Sequence, residues 1–339
     1  FKPMKLNLQG TIEAHDERIW HAAWSHDGNY VASCGEDKSI RIWRIRQSNN
    51  QLDTESIASI DDGQDRTIRC CEWSPNGKMI ASASFDGTVI VWITQDGTFK
   101  FWDQLASLEG HDNEVKSVAW SFDGLLIATC GRDKKVWIWE AVSGGEFECV
   151  GMLESHTQDV KFVKWHPLKR VLFSCSYDDT IKVWMESNDE WYCASTLSGH
   201  SSTVWGLTLA NHGNRIISCS DDQSLMLWEN MNDSKSTGRI EELKWMQVSK
   251  YSNVHRGPIY SIDWNESFGI VASCGGDNSI ILNKINKSTD DGCLYFELVL
   301  SIRESHQGDV NCIRWNPRNP SILISAGDDG CLNIWSLIV

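Results

Sequence analysis

What the chain lacks narrows the reading first. Only six of 339 residues are proline, too few for a Pro-rich disordered chain. No apolar run reaches the ~18 residues of a membrane span, so no membrane partner is expected. The opening stretch FKPMKLNLQGTIEAH has no apolar core of signal-peptide length, and secretion is not expected. Positive charge is scarce: 31 Lys and Arg stand against 46 Asp and Glu, a net charge of −15. General nucleic-acid binding needs a basic footprint, so no nucleic acid is expected as a partner. Twelve cysteines contain no Cys-x-x-Cys pair, and the adjacent Cys70 and Cys71 are poorly placed to share one tetrahedral ion. Cys34, Cys130, Cys175, Cys219 and Cys274 all lie three residues before a recurring aspartate. That shared register reads as a small buried strand position. Structural thiols in a reducing compartment are expected, with no metal and no cofactor.

What is in excess is tryptophan, eighteen residues, and its spacing is informative. Asp37, Asp86, Asp133, Asp178, Asp222, Asp277 and Asp329 recur at intervals of 44 to 55 residues. Six residues after each stand Trp43, Trp92, Trp139, Trp184, Trp228, Asn283 and Trp335. Four residues before each is a hydroxyl: Ser33, Ser82, Thr129, Ser174, Ser218, Ser273 and Ser325. Upstream lie His15, Gln64, His111, His156, His200, His255 and His306. A period of this length marks a repeat architecture. Seven copies of His…Ser/Thr…Asp…Trp resemble the WD-repeat propeller family over the whole chain. The expected fold is all-β: one seven-bladed propeller spanning 1–339, with four antiparallel strands per blade.

In that family the Asp accepts from the His, the His meets the hydroxyl, and the hydroxyl reaches the Trp indole. The sets His111, Thr129, Asp133, Trp139 and His156, Ser174, Asp178, Trp184 are two such networks. Each buried polar group must find a partner or cost about 1–3 kcal/mol. A single His–Ser–Asp set could be read as a nucleophilic triad. Seven copies read as architecture, and no catalysis is expected from them. Gln64 and Asn283 depart from the pattern, so repeats two and six should have weaker networks.

Strands alternate between these landmarks, as in Val115–Trp120, Leu125–Thr129 and Val136–Trp139. Asp27-Gly28, Asn76-Gly77 and Asp123-Gly124 supply turns. The chain stops soon after Trp335, so the last blade lacks a fourth strand. Lys5–Ile12 is extended in character and should fill that place, closing the ring without an open edge. Polar inserts within Glu229–Asn253 and Ile285–Phe296 follow third strands and should project from one face, as solvated or docking loops.

Four antiparallel strands put the His loop and the Asp turn at the same end of every blade. In the family this rim is a frequent partner surface. It is reached three and five residues after the His and one before the Asp. Those places hold Arg69, Lys116, Arg132 and Lys161 in repeats two to four, with Phe85, Tyr177, Trp205 and Tyr260 among or beside them. A basic, aromatic cluster runs against the acidic trend of the chain, and Arg and aromatic residues are enriched in binding hot spots. Glu114 and Asp159 could instead neutralise the cations. The partner suited to such a patch is an acidic segment that bears an aromatic residue.

The sequence between the landmarks is more specific. LEGHDNEVKSVAWS (108–121), TCGRDKKVWIWE (129–140), SHTQDVKFVKWHP (155–167), SYDDTIKVW (176–184) and DVNCIRWNP (309–317) closely resemble the WD-repeat proteins of the cytosolic iron–sulfur protein assembly machinery. The resemblance implies a non-enzymatic scaffold in a targeting complex that delivers clusters to apoproteins. The implied partners are a small assembly subunit, a HEAT-repeat adaptor, a hydrogenase-like iron–sulfur carrier and apo iron–sulfur clients. It also implies that Arg132, the arginine of the third blade, is functionally important, and that residence is cytoplasmic, with the nucleus left open. Some members carry Leu-Tyr-Arg after the fourth Asp for a cochaperone; here Val183-Trp184-Met185 stands instead. The competing reading is a WD-repeat adaptor of another complex, a ubiquitin-ligase substrate receptor or chromatin subunit.

Overall fold

A computed structural model describes residues 4–48, 51–210, 212–231, 244–290 and 292–339. Its strands form seven separate four-stranded antiparallel sheets. Blade three shows the plan: Val115–Trp120 is innermost, followed outward by Leu126–Gly131, Lys135–Ala141 and Phe147–Glu154. The second strand is buried along its whole length, while the outer strand is mostly exposed. This gradient follows from the packing. Each blade is covered on both faces by its neighbours near the axis and meets solvent at the periphery. The cores are accordingly shared between blades, as where Ala128 and Ile138 of blade three pack with Val163 and Trp165 of blade four.

The last sheet consists of Val310–Trp315, Ile322–Gly327 and Cys331–Ile338, completed by Lys5–Glu13 from the other end of the chain. The N-terminal strand pairs from Lys5 opposite Ile338 to Glu13 opposite Cys331. The ring is thus closed by main-chain hydrogen bonds between the two ends.

A second tryptophan series adds to the blade networks. Trp24, Trp73, Trp120, Trp165, Trp264 and Trp315 lie nine residues after the His or Gln landmark, at the ends of innermost strands. Four of them donate to carbonyls of the preceding blade: Trp24 to Arg314, Trp73 to Ala23, Trp120 to Glu72 and Trp165 to Ala119, at 3.1–3.3 Å. The excess of tryptophan therefore serves two tasks, one inside a blade and one between blades.

The turns between first and second strands are longer than a two-residue hairpin. In blade three, Asp123 accepts from the Ser121 hydroxyl and the Leu125 amide, and Gly124 takes a left-handed φ of 72°. Most of the polar insert after Trp228, residues 232–243, lies outside the described residues. Its flanks are strand: Leu225–Asn230 leads in, and Trp245–Tyr251 is the outer strand of blade five. Half of the stretch Ile285–Phe296 belongs to the strands Ile280–Lys287 and Leu294–Ile302, with residues 288–293 between them.

Candidate functional site: the channel rim

One irregularity recurs in every blade and builds the site. The pairing of each innermost strand with its neighbour slips by one residue near its start. The skipped residues are Trp20, Arg69, Lys116, Lys161, Trp205, Tyr260 and Asn311. A bulge turns its extra residue out of the pleat and re-aims the side chain. These are the positions five residues after each His or Gln landmark. The bulge therefore supplies the physical reason that this register position faces the central channel.

The narrow cavity at the channel mouth draws residues from all seven blades. Arg69, Lys116, Lys161, Trp205, Tyr260 and Asn311 line it, with His21 and Arg314. Arg132, Phe85 and Tyr177 are not part of its wall; they stand one step outward, at the turn before the Asp. The two tiers touch through aromatic faces. The Lys116 ammonium lies 3.9 Å from the centre of the Phe85 ring. Lys161 lies 5.3 Å from both Tyr177 and Trp205. The Arg69 guanidinium sits 4.8 Å from Trp20. Trp205 meets Tyr260 edge to face at 5.2 Å, and the Tyr260 hydroxyl donates to Asp309 at 3.3 Å. Cation–π contacts of this kind hold a charge without neutralising it.

Carboxylates do neutralise two of the four predicted cations. Arg132 pairs with Glu114 at 3.2 Å, its side chain 58% exposed and that of Glu114 12% exposed. Glu114 also approaches Arg66 at 3.6 Å, so one carboxylate is shared by two arginines. Lys161 pairs with Asp159 at 3.3 Å. Lys116 is the opposite case: burial lowers its pKa to about 8, and Lys161 and Arg69 oppose its charge while Glu114 favours it. Burial also depresses Arg69.

Two wall residues carry no landmark in the sequence because they lie in strand interiors. The Arg314 guanidinium donates to the Ser261 hydroxyl at 3.0 Å and to the Ile313 carbonyl at 2.9 Å, and reaches His21 Nε2 at 3.0 Å. His21 Nδ1 faces the Cys71 carbonyl at 3.0 Å. Burial, with Arg314 and Arg69 adding to it, holds His21 well below its usual pKa and keeps it neutral. Their signal was available only as periodicity: with the bulge counted, six and eight residues after the landmark His face the channel.

Behind the rim stand the blade networks. In blade three, His111 Nδ1 lies 2.7 Å from Asp133, His111 Nε2 lies 2.8 Å from the Thr129 hydroxyl, and Trp139 donates to that hydroxyl at 3.0 Å. In blade four the same contacts join His156, Asp178, Ser174 and Trp184 at 2.7–2.8 Å. Because Trp donates to the hydroxyl oxygen, the hydroxyl hydrogen is directed at His Nε2, and the His donates from Nδ1 to the carboxylate. For Asp178 burial alone would raise the carboxyl, but hydrogen bonds from His156 and Thr180 outweigh it and hold the group below the usual range. Ser33, Ser218 and Ser325 are occupied on both sides in the same way, whereas Ser273 meets His255 but has no indole donor.

The two departures differ. Gln64 accepts from Ser82 at 2.8 Å and Trp92 still donates to Ser82 at 2.9 Å. Asp86 instead accepts from the Asp65 amide and Thr88, so the amide replaces the imidazole but the direct link to the Asp is lost. Asn283 is fully buried and its side-chain amide has no hydrogen-bond partner. Val183, Trp184 and Met185 are buried in the third strand of blade four. Among the described residues, no group of three or more His, Cys, Asp or Glu side chains is placed to hold a metal ion.

Comparison with known proteins follows this geometry. The WD domain, G-beta repeat, model matches residues 6–44, 55–92, 102–140, 147–185, 191–229, 247–282 and 297–336. The first match begins in the strand that completes the last sheet, so the sequence repeat is offset from the blade by one strand. A Chlamydomonas reinhardtii protein named as a probable cytosolic iron-sulfur protein assembly protein CIAO1 homolog is 42% identical, over 99% of both chains. The Culex quinquefasciatus probable cytosolic iron-sulfur protein assembly protein Ciao1 is 40% identical over 98% of both. Protein CIA1 of Arabidopsis thaliana is 43% identical over 96% of this chain and 95% of its own. With seven intact blades and end-to-end likeness to these relatives, the chain belongs to the WD-repeat family and, within it, to the cytosolic iron–sulfur protein assembly proteins.

Proposed function

We propose that this chain is a non-catalytic scaffold of cytosolic iron–sulfur protein assembly, docking partner subunits and apoprotein clients for cluster delivery. The observation that carries the reading is the likeness, over nearly the full length of both chains, to relatives named for that process. The rim supports a docking role. It gathers Arg132, Arg69, Lys116, Lys161, Phe85, Tyr177, Trp205 and Tyr260 around one opening, the composition of a binding hot spot. The His–hydroxyl–Asp sets support a non-catalytic reading, since hydroxyls such as those of Thr129 and Ser174 are consumed in bonds to tryptophan. The partners proposed from family membership are a small assembly subunit, a HEAT-repeat adaptor and a hydrogenase-like iron–sulfur carrier, in the cytoplasm.

The test is capture of partners from cell extract by wild type and by Arg132→Glu. The reading expects the assembly subunits with wild type and at least tenfold less of one of them with the variant. Recovery of a cullin or a histone complex instead would overturn it in favour of another WD-repeat adaptor.

A further inference from the structure

The channel mouth carries an imbalance that the docking reading does not use. Four cationic side chains line the cavity, Arg69, Lys116, Lys161 and Arg314, and no carboxylate does. Lys161 is answered from outside by Asp159. Among the described residues, Arg69, Lys116 and Arg314 are in ion-pair contact with no carboxylate; Arg69 and Lys116 rest on aromatic rings and Arg314 bonds to neutral groups, while Glu114 favours the charge of Lys116, and Asp263 and Glu72 that of Arg314, from beyond contact. In a chain of net charge −15, cations are gathered here while acids are kept from the wall. Leaving partly buried charges unanswered is costly unless something else answers them.

The cavity is narrow, about 20 Å³. That is room for little more than one water, so a ligand sits over the mouth and offers its oxygens to the cations rather than entering whole. A carboxylate brings one negative charge and two oxygens. A phosphate monoester brings about −1.5 to −2 and three acceptor oxygens, a closer match to three cations that no carboxylate contacts. Hydrogen bonds from guanidinium and ammonium to such oxygens are the strong, charge-assisted kind.

From this we infer that the channel mouth is a phosphate-monoester site, with Arg69, Lys116 and Arg314 as its anion-binding residues and Lys161 at its edge. The site shares the rim with the docking surface but does not depend on that role. Burial weakens the Lys116 charge most, and Lys161 and Arg69 add repulsion that a bound dianion relieves. The chemistry is common to a phosphorylated side chain and to a free phosphate compound, and the experiment separates the two.

The test is calorimetry and thermal melting of the purified full chain at low ionic strength. The probes are inorganic phosphate, inositol hexakisphosphate, the peptide Ala-Ala-phosphoserine-Ala-Ala and the same peptide with Glu in place of phosphoserine. At least one phosphate probe is expected to bind and raise the Tm, at least tenfold tighter than the Glu peptide. Lys116→Gln, and separately Arg69→Gln, should weaken it at least tenfold, while Lys78→Gln on an exposed turn should not. A phosphopeptide that outbinds the free compounds identifies a modified protein segment as the source; the reverse identifies a small molecule. The inference is overturned if no phosphate probe binds, if the Glu peptide binds equally, or if both mouth variants melt as cooperatively as wild type and bind undiminished. No partner protein enters the assay, so its failure leaves the docking test untouched.

Discussion

Replacing Asp133 by Ala removes a carboxylate that is 3% exposed and faces a His111 side chain that is 0% exposed. Two donors lose their acceptor: His111 Nδ1 at 2.7 Å and the Lys135 amide at 3.1 Å. Stranding the buried imidazole costs about 2 kcal/mol, and the partly buried amide about 1 kcal/mol. An unfolding entropy of about 2.1 cal/mol/K per residue, over a chain of 339 residues, comes to about 0.7 kcal/mol/K. The expected fall in Tm is therefore about 4 °C, read by calorimetry. Blade two supplies the internal control. Asp86 accepts from the Asp65 amide, the Thr88 amide and the Thr88 hydroxyl, but from no imidazole. The Asp65 donor is exposed and can turn to water, so Asp86→Ala should cost about 1 kcal/mol and lower the Tm by less than 2 °C. Equal falls for the two variants would refute the argument, because they would show that the buried imidazole contact carries no extra stability.

Four further outcomes are expected. Arg132→Glu should move the Tm by no more than about 1 °C, because an exposed ion pair contributes about 0.2–1 kcal/mol; a larger loss would contradict its surface position. The pH dependence has a definite sign. Burial raises the carboxyls of Asp37, Asp133, Asp178, Asp222, Asp277 and Asp329, but hydrogen bonds led by those from histidine outweigh it, so each is held below its usual pKa. Their contribution is complete above the unfolded value near 4 and is lost as pH falls through the folded values; melts from pH 6 to pH 2 should be level at first and then drop, and a level Tm down to pH 3 would refute this. Asn283→Leu removes a buried amide that has no partner, so stability should hold or rise by about 1 kcal/mol, and a fall in Tm beyond 2 °C would show that the amide is satisfied. Finally, a thiol reagent should modify the exposed Cys149 and Cys293 well before Cys34, Cys130, Cys175, Cys219 and Cys274, which are buried; mass spectrometry of a time course reads the order.

The seven-bladed fold was legible because each repeat announces itself locally. A His, a hydroxyl, an Asp and a Trp at near-constant spacing can only satisfy one another when three strands are stacked in one register, so spacing along the chain carries the geometry. Ring closure was legible for a related reason: a last blade short of one strand and a strand-like segment at the other end are complementary facts in one dimension. The first-to-second strand bulges were not, since nothing in Trp20, Arg69, Lys116 or Asn311 marks a slipped pairing. Nor was the second tryptophan series read as what it is, because its bonds run from one blade to the next.

The amino-acid sequence alone therefore determined the repeat and the number of blades. Only the tertiary structure decided what the charges at the rim do. Glu114 and Arg132 are 18 residues apart and meet across two loops, while Arg69, Lys116 and Arg314 come from three blades and converge on one cavity with no carboxylate in its wall. Whether a cation is answered depends on distances of a few ångströms between separate strands, and those distances exist only once the ring has closed.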